Sequence, residues 1–234
     1  LVRRSTIIPF QLLVNVNFET LSTFSWHLNR KHEQNQMETV MKIGIIGAGY
    51  VGRAIGKKGV ETGHDVMLSN SRGPQTLMST ASATGCKVGT MDEAIAFGDV
   101  VVVAIPLLAY EALPAESLAG KLVIDAANYY FERDGHIEAL DKGETTTSEM
   151  MAAHLRDSRI VKAFNSIRMI DLDDAARPEG APERVALPLA GDDAEAKALV
   201  SDLYNQFGYD TVDAGPLAEG WRFERNRPTY CVLM

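Results

Sequence analysis

The chain has 234 residues, of which 46% are hydrophobic and 23% charged, an ordinary mixture for a globular protein whose core needs neither disulfides nor metals. Its formal net charge of -8 argues against nucleic acid as a partner, because an acidic surface repels phosphate backbones. Cys86 and Cys231 form no disulfide or metal motif and the five histidines form no ligand-like cluster, so we expect a cytoplasmic protein without a metal site.

The first 40 residues show no clear pattern of secondary structure. Two arginines before the apolar residues 7–14 faintly resemble a secretory signal, but Pro9 and Gln11 interrupt that stretch. No segment of the chain reaches the roughly 20 apolar residues that span a membrane. Met41 stands immediately before the first convincing strand. We therefore interpret residues 1–40 as a disordered N-terminal extension and expect no membrane partner.

From residue 42 onward, short apolar runs alternate with helical segments. The predicted strands are residues 42–46, 64–68, 87–89, 99–105, 122–125 and 159–164. The predicted helices between them are residues 53–62, 75–84, 91–97, 107–113 and 148–155. Apolar runs without a polar face are typical of buried parallel strands, and their alternation with helices indicates a doubly wound parallel sheet.

The last part of the chain has a different order of elements. Two predicted strands, residues 185–190 and 209–213, flank a predicted helix at residues 193–207. We therefore predict an α/β fold with a Rossmann-type, doubly wound and mostly parallel sheet. The Rossmann domain should cover residues 41–165, and a small mixed α/β C-terminal extension over residues 166–234 should pack on the same sheet.

A glycine-rich turn between the first strand and the first helix is the first motif with chemical meaning. It reads Gly47-Ala48-Gly49-Tyr50-Val51-Gly52, the GxGxxG spacing in the context that dinucleotide-binding folds require. In this motif the first glycine permits a tight turn, the second lets the backbone approach a pyrophosphate, and the third allows close packing of helix on strand. The helix N-terminus adds free N–H groups and a partial positive charge. We predict a dinucleotide site here, with a purely structural turn as the alternative.

The end of the second strand indicates which dinucleotide is bound. Domains that bind NAD usually place Asp or Glu about 20 residues beyond the glycine turn, where it accepts from the ribose 2′-hydroxyl. The sequence at that distance is Ser69-Asn70-Ser71-Arg72, without a carboxylate. A carboxylate would repel a 2′-phosphate, whereas hydroxyls, an amide and a guanidinium offer donors and positive charge. We therefore predict NADP(H), with an ordinary solvent-facing turn as the alternative.

Three further strand ends should open onto the same crevice, since ligands of open α/β sheets lie outside the carboxyl ends of the strands. Ala104-Ile105-Pro106 should lie beside the nicotinamide, Asn128 follows the next strand, and Ala163-Phe164-Asn165-Ser166 ends the one after. No nucleophile–base pair is evident, and His136 and His154 are more typical of surface or capping histidines. We name no catalytic residue, because hydride transfer can rely on positioning, stacking and water exclusion.

Together these motifs resemble the family called NADP oxidoreductase, coenzyme F420-dependent, over nearly all of residues 41–234. The resemblance implies hydride transfer between NADP(H) and a small-molecule acceptor, either coenzyme F420, which is a deazaflavin, or a flavin. It also implies that Ser69, Ser71 and Arg72 hold the 2′-phosphate and that Ala163–Ser166 form part of the acceptor site. The same domain type serves membrane metalloreductases, in which the acceptor is FAD.

The resemblance also implies a homodimer with the segment near Trp221 at its interface. Three other functions stay open. An imine or pyrroline-carboxylate reductase would add a long helical domain, but the residues after Asn165 read as mixed strand and helix. A non-catalytic NADPH sensor is compatible with the lack of an acid–base pair. The third alternative is a Rossmann domain with a degenerate pocket.

Overall fold

The computed structural model describes residues 40–232. The predicted disordered extension at residues 1–40 lies outside this part of the chain, except for its last residue. No helix within residues 40–232 is both long enough and apolar enough to cross a membrane. The described residues form an α/β fold around one large, mostly parallel sheet, which confirms the predicted fold class.

Eight strands within the described residues form the sheet. They are β1 (Lys42–Ile46), β2 (Asp65–Ser69), β3 (Lys87–Gly89), β4 (Val100–Val103), β5 (Leu122–Asp125), β6 (Arg159–Lys162), β7 (Ala186–Gly191) and β8 (Asp210–Asp213). Their order across the sheet is β3-β2-β1-β4-β5-β6-β7-β8. The first six are parallel, β7 runs antiparallel to β6, and β8 is parallel to β7. The strand order therefore reverses between β1 and β4, the position at which such sheets bind ligands.

Helices connect the strands and cover both faces of the sheet. The α-helices are α1 (Tyr50–Glu61), α2 (Met78–Thr84), α3 (Met91–Phe97), α4 (Ala115–Leu118), α5 (Phe131–Asp134), α6 (Glu138–Asp141), α7 (Thr147–His154), α8 (Asp171–Asp174) and α9 (Ala194–Phe207). Shorter 3-10 helices span Pro74–Leu77, Leu107–Ala112 and Leu217–Phe223. The apolar strands explain the two layers, because alternate side chains must be buried on opposite faces.

The core consists of two clusters, one on each face of the sheet. Ile43 and Ile45 of β1 belong to the cluster that includes residues of α1 and α9. Val101 and Val103 of β4 belong to the other cluster, with residues of α3 and α7. Full burial of an Ile or Val side chain stabilises the fold by about 1.5–3 kcal/mol, so this two-sided burial holds the strand ends in a fixed arrangement.

Three observed boundaries differ from the predicted ones and shape the site. Helix α1 begins at Tyr50 and not at Arg53, so the glycine turn itself leads into the first helical turn. Strand β4 ends before Ala104–Pro106, and β6 ends at Lys162 because Phe164 has a positive φ of 62°. The residues after these strands are therefore loops at the carboxyl edge of the sheet.

Candidate functional site

The glycine turn contains three glycines with different surroundings. Gly47 has a φ of 108°, and a Cβ there would lie 2.3 Å from the carbonyl oxygen of Ala104. A Cβ at Gly52 would lie 1.9 Å from the carbonyl oxygen of Gly47. A Cβ at Gly49 would meet no atom within 4 Å. The first and third glycines are thus required by the fold, whereas the second leaves the backbone open to a ligand.

The N-terminus of α1 offers an anion site next to Gly49. Gly49 is the N-cap of this 12-residue helix, no side chain caps it, and its first turn contains no acidic residue. The first N–H groups of a helix lack intrahelical partners, and the helix dipole adds a partial positive charge. Arg53 lies on the following turn, and its Nε donates to the carbonyl oxygen of Gly49 at 3.3 Å. The residues present therefore fit a bound pyrophosphate.

Two cavities adjoin the glycine turn and share Gly49 and Ala104–Pro106. The Ser69 cavity has a volume of about 400 Å³, and its remaining wall includes Ile46, Gly47, Ser69, Asn70, Ser71, Met91 and Leu113. The Asn128 cavity has a volume of about 380 Å³, and its remaining wall consists of Tyr50, Val51, Ala126, Ala127, Asn128, Tyr130 and Arg133. Both volumes lie in the range of small-molecule sites. The pair fits the two halves of a dinucleotide with its pyrophosphate at the shared wall.

The turn after β2 presents Arg72, whose guanidinium is unpaired within residues 40–232. Asn70 holds the turn, since its Oδ1 accepts from the backbone N–H of Arg72 at 3.0 Å and its Nδ2 donates to Thr76 at 3.0 Å. Ser71 and Arg72 are both exposed. Within residues 40–232 the guanidinium of Arg72 forms neither a hydrogen bond nor an ion pair. A rigid turn that presents a hydroxyl and an unpaired guanidinium suits a phosphate group.

Ser69 has a different environment from the rest of this turn. It lines the Ser69 cavity but is fully buried, and its hydroxyl donates to the carbonyl oxygen of Ile45 at 2.9 Å. The hydroxyl hydrogen is therefore used within the sheet. This geometry does not agree with the expectation that Ser69 donates to a 2′-phosphate, and it leaves Ser71 and Arg72 as the candidate phosphate ligands of the turn.

Asn128 lies in the wall of the second cavity and is held by Asn165. Its Nδ2 donates to the backbone carbonyl of Asn165 at 2.9 Å, and its Oδ1 accepts from Nδ2 of Asn165 at 3.1 Å. The same Nδ2 of Asn165 also donates to the carbonyl oxygen of Phe223 at 3.0 Å. Asn165 thus fixes the orientation of Asn128 and ties it to the C-terminal segment.

The predicted acceptor residues Ala163–Ser166 line neither of these two cavities. Ala163 and Phe164 belong to the core, where the Phe164 ring contacts Tyr204 edge to face at 4.7 Å between ring centroids. The backbone N–H of Phe164 also donates to the Tyr204 hydroxyl at 2.7 Å. The side chains of Ala163 and Phe164 therefore cannot contact a ligand in the Asn128 cavity in this structure. Asn165 reaches that cavity only through Asn128.

A buried charged cluster is hydrogen-bonded to Ala127, a residue that lines the Asn128 cavity, and the sequence patterns did not indicate it. Asp125 and Lys162 end β5 and β6, are paired in register, and have fully buried side chains. The ammonium of Lys162 lies 3.7 Å from Oδ2 of Asp125 and 3.3 Å from Oε1 of Glu224. It donates to Thr147 Oγ1 at 2.7 Å and to the carbonyl oxygen of Ala127, a cavity residue, at 3.3 Å.

Asp125 is fully hydrogen-bonded within this cluster. Its Oδ1 accepts from the Tyr110 hydroxyl at 2.7 Å and from the backbone N–H of Ala127 at 3.0 Å. Its Oδ2 accepts from Ser148 at 2.6 Å. Burial raises the pKa of Tyr110 well above its usual range, so its hydroxyl stays protonated and continues to donate. The cluster joins β5, β6, α7 and the C-terminal segment next to Ala127.

The two candidate histidines lie outside the walls of both cavities. Nδ1 of His136 lies 2.9 Å from Oδ2 of Asp141 at the surface, and Nε2 of His154 lies 2.9 Å from the carbonyl oxygen of Leu113. Neither is placed to exchange a proton with a ligand at the glycine turn. The residues that line the Asn128 cavity therefore supply position, shape and one charge, that of Arg133, instead of an acid–base pair.

Comparison with known proteins identifies proteins with a similar sequence or a similar structure. The chain is 30% identical over 186 residues to metalloreductase STEAP3 of Rattus norvegicus, a match that covers 78% of this chain and 36% of the relative. A hypothetical protein of Sinorhizobium meliloti has a similar structure, with a TM-score of 0.72, 26% identity and coverage of 86% of this chain and 98% of that one. A putative F420-dependent NADP reductase of Arthrobacter sp. FB24 gives a TM-score of 0.63 at 25% identity, over 75% of this chain and 85% of that one.

The family comparison covers the Rossmann part of the chain. Residues 42–129, which contain the glycine turn, the Ser69–Arg72 turn, Ala104–Pro106 and Asn128, match the model of one family. The chain spans only about a third of the rat metalloreductase, so that match concerns part of a longer protein. That family is described as NADP oxidoreductase coenzyme F420-dependent, and the match supports the resemblance found in the sequence.

Proposed function

We propose that this protein transfers hydride between NADP(H) and a planar acceptor of the flavin or deazaflavin type. The observation that carries the proposal is the pair of cavities that meet at Gly49 and Ala104–Pro106, with the unpaired Arg72 beside the first cavity. The family match over residues 42–129 supports the nicotinamide cofactor, and the name of the Arthrobacter reductase supports a deazaflavin acceptor.

In this proposal each part of the cofactor has a site of matching chemistry. The pyrophosphate lies at the N-terminus of α1 over Gly49, the adenosine occupies the Ser69 cavity, and its 2′-phosphate is bound by Ser71 and Arg72. The Asn128 cavity, with Ile105 and Pro106 in its wall, would hold the nicotinamide. Bound NADPH would supply a hydride to the acceptor ring.

The residues of the chain would position the reactants and exclude water. Ile105, Pro106 and Val51 give the Asn128 cavity apolar walls, and Asn128 offers an amide whose orientation Asn165 fixes. Because this cavity is small, an acceptor ring stacked on the nicotinamide would stay partly exposed. Tyr50 stands at its wall with 59% of its surface exposed and is available to cover such a ring.

The experiment that tests the proposal combines binding and turnover. We expect calorimetry to show tighter binding of NADPH than of NADH, and we expect NADPH oxidation with at least one of coenzyme F420, FMN, FAD or a ferric chelate. Tight NADPH binding without oxidation by any acceptor would favour the sensor function. Absence of NADPH binding would favour the degenerate pocket and reject the proposal.

We also propose the homodimer that the sequence resemblance implied. Trp221 is 40% exposed, and the guanidinium groups of Arg222 and Arg227 each lie 5.0 Å from a ring centroid of this side chain. Exposed Trp and Arg are enriched at protein interfaces. We expect sedimentation to show a dimer that Trp221→Ala weakens. A wild-type monomer at micromolar concentration would reject this part of the proposal.

A further inference from the structure

The Asn128 cavity carries a single charged side chain among its lining residues, that of Arg133. The other lining residues are apolar or neutral. Arg133 lies on α5, and 45% of its side chain is exposed. A guanidinium at the wall of a ligand cavity can bind a negatively charged ligand group through any N–H that the protein leaves unpaired.

Three hydrogen bonds hold the guanidinium of Arg133 in one orientation. Nε donates to Oδ1 of Asp134 and Nη2 donates to Oδ2 of Asp134, both at 2.8 Å. Nη2 also donates to the backbone carbonyl of Asn128 at 3.0 Å. Nη1 has no hydrogen-bond partner within residues 40–232. Since the side chain of Asp134 is fully buried, the paired edge is anchored in the protein and the Nη1 end is left for a ligand.

The aromatic ring of Tyr130 adds a second support. The guanidinium of Arg133 lies 5.0 Å from the ring centroid of Tyr130, and that of Arg225 lies 4.7 Å from the same centroid. The Tyr130 hydroxyl is hydrogen-bonded to the Tyr230 hydroxyl at 2.8 Å. A guanidinium held by bonds and stacking loses little freedom when it binds a ligand, which favours affinity.

We propose that Arg133 selects acceptors that carry a phosphate or carboxylate group beside their ring system. This inference rests on the proposed hydride transfer and adds the charge of the acceptor to it. Nη1 of Arg133 donates to the anionic group while the ring lies in the Asn128 cavity. A hydrogen bond between charged groups of this kind corresponds to roughly 10- to 100-fold in affinity.

Arg225 provides a matched control for Arg133. It also lies over the Tyr130 ring, and it also pairs with a neighbouring carboxylate, with Nη2 donating to Oε1 of Glu132 at 2.9 Å. It is not among the residues that line the Asn128 cavity. A variant at Arg225 therefore removes a guanidinium from the same aromatic group without removing the proposed acceptor contact.

The experiment compares FMN with riboflavin, which share one ring system and differ in the phosphate. We expect Arg133→Met to lower kcat/KM for FMN by roughly 10- to 100-fold and to leave riboflavin and the Kd for NADPH unchanged. Arg225→Met should leave the FMN-to-riboflavin ratio of kcat/KM unchanged. Equal losses with both acceptors, or a weaker Kd for NADPH, would overturn the assignment.

Two further measurements keep this test decisive. Arg133→Met leaves the buried Asp134 without its partner, so the double variant Arg133→Met with Asp134→Asn removes both charges and should show the same loss of FMN preference. If the wild-type protein oxidises NADPH with none of coenzyme F420, FMN, FAD and a ferric chelate, the proposed function fails separately. Calorimetry then decides the present inference: FMN binding that exceeds riboflavin binding and depends on Arg133 supports it, and equal or absent binding rejects it.

Discussion

Two cations at the carboxyl edge of the same sheet, Arg72 after β2 and Lys162 at the end of β6, have opposite environments. Arg72 is exposed and forms no ion pair within the described residues. Lys162 is fully buried and contacts the carboxylates of Asp125 and Glu224. The position of a cation beyond a parallel strand therefore does not reveal its role. Its partners do, because an unpaired hydrated cation is free for a ligand, whereas a buried one needs its protein partners to remain charged.

The energetic cost of holding the charge also differs between Lys162 and Arg72. Removal of a charge from water costs several kcal/mol, which Lys162 recovers through its ion pairs and its hydrogen bonds to Thr147, Ser148 and Ala127. Arg72 stays in water and bears no such cost. A change at Lys162 should therefore act on stability, and a change at Arg72 should act on ligand binding.

The largest expected effect is on the stability of the Lys162→Met variant. Methionine matches the length of lysine but leaves Asp125 and Glu224 with uncompensated charge, so we expect unfolding in urea to show a loss of about 3–5 kcal/mol. The control is Lys142→Met, whose lysine pairs with Glu138 at the surface, where we expect a change within about 0.5 kcal/mol. A loss at position 162 that is no larger than at position 142 would contradict the structural role of the cluster.

The second comparison contrasts two glycines of the same turn. Gly47→Ala requires a positive φ and places a Cβ against Ala104, so we expect a stability loss of about 1–3 kcal/mol or more. Gly49→Ala meets open space and should leave the melting temperature nearly unchanged while weakening NADPH binding by about tenfold, a loss of roughly 1.4 kcal/mol. Thermal unfolding and calorimetry measure the two effects. If Gly49→Ala binds NADPH as tightly as the wild type, the pyrophosphate does not bind at this turn.

The third prediction concerns cofactor choice at the turn after β2. We expect Arg72→Ala to raise the Kd for NADPH by roughly 10- to 100-fold, with NADH and stability nearly unchanged, because the guanidinium contacts only the 2′-phosphate. Ser69→Ala is the matched control: it removes the hydrogen bond to Ile45 and should lower stability by about 1 kcal/mol without changing the preference for NADPH. Equal weakening of both cofactors by Arg72→Ala would reject the NADP assignment.

Much of the fold could be predicted because its determinants are local. The strands over residues 42–46, 87–89 and 122–125 have the observed bounds. The first and third are short apolar runs between helices, and such runs leave little choice of where a strand begins and ends. Helices α4, α5, α6 and α8 were missed because each has only four residues, which show no helical period. This omission matters for the site, since α5 carries Arg133.

The site could be predicted only where its parts are contiguous in sequence. The glycine turn is a local motif, so its spacing indicated its chemistry. The contact of Lys162 with Glu224 joins segments far apart in sequence, and nothing in either segment indicates the other. One signal was present: β5 and β6 are otherwise apolar at their centres, yet each ends in an ionisable residue, Asp125 or Lys162. Adjacent strands with opposite charges at the same end indicate a paired cluster.

The smallest expected effect concerns the exposed counterpart of the buried cluster, the pair of Glu132 and Arg225. The hydrogen bond that Glu132 accepts from Arg225 lowers the pKa of Glu132 from 4.5 to about 2. A carboxyl whose pKa is lowered by folding contributes stability above its unfolded pKa and loses that contribution as the pH falls toward the folded pKa. We expect Glu132→Gln to be slightly less stable than the wild type from pH 8 to pH 5, with the difference fading between pH 4.5 and 2.

Urea unfolding at several pH values measures this difference, and salt should reduce it because Glu132 is exposed and Arg225 is partly exposed. Lys142→Met removes a different surface ion pair, that with Glu138. In the Lys142→Met background, the stability difference caused by Glu132→Gln should still disappear below pH 4.5. A difference between wild type and Glu132→Gln that persists at pH 2 would mean that Glu132 acts through packing and not through its charge. A large difference at neutral pH would mean that this surface pair contributes as much to stability as the buried cluster of Lys162. That result would contradict the distinction between hydrated and buried charges.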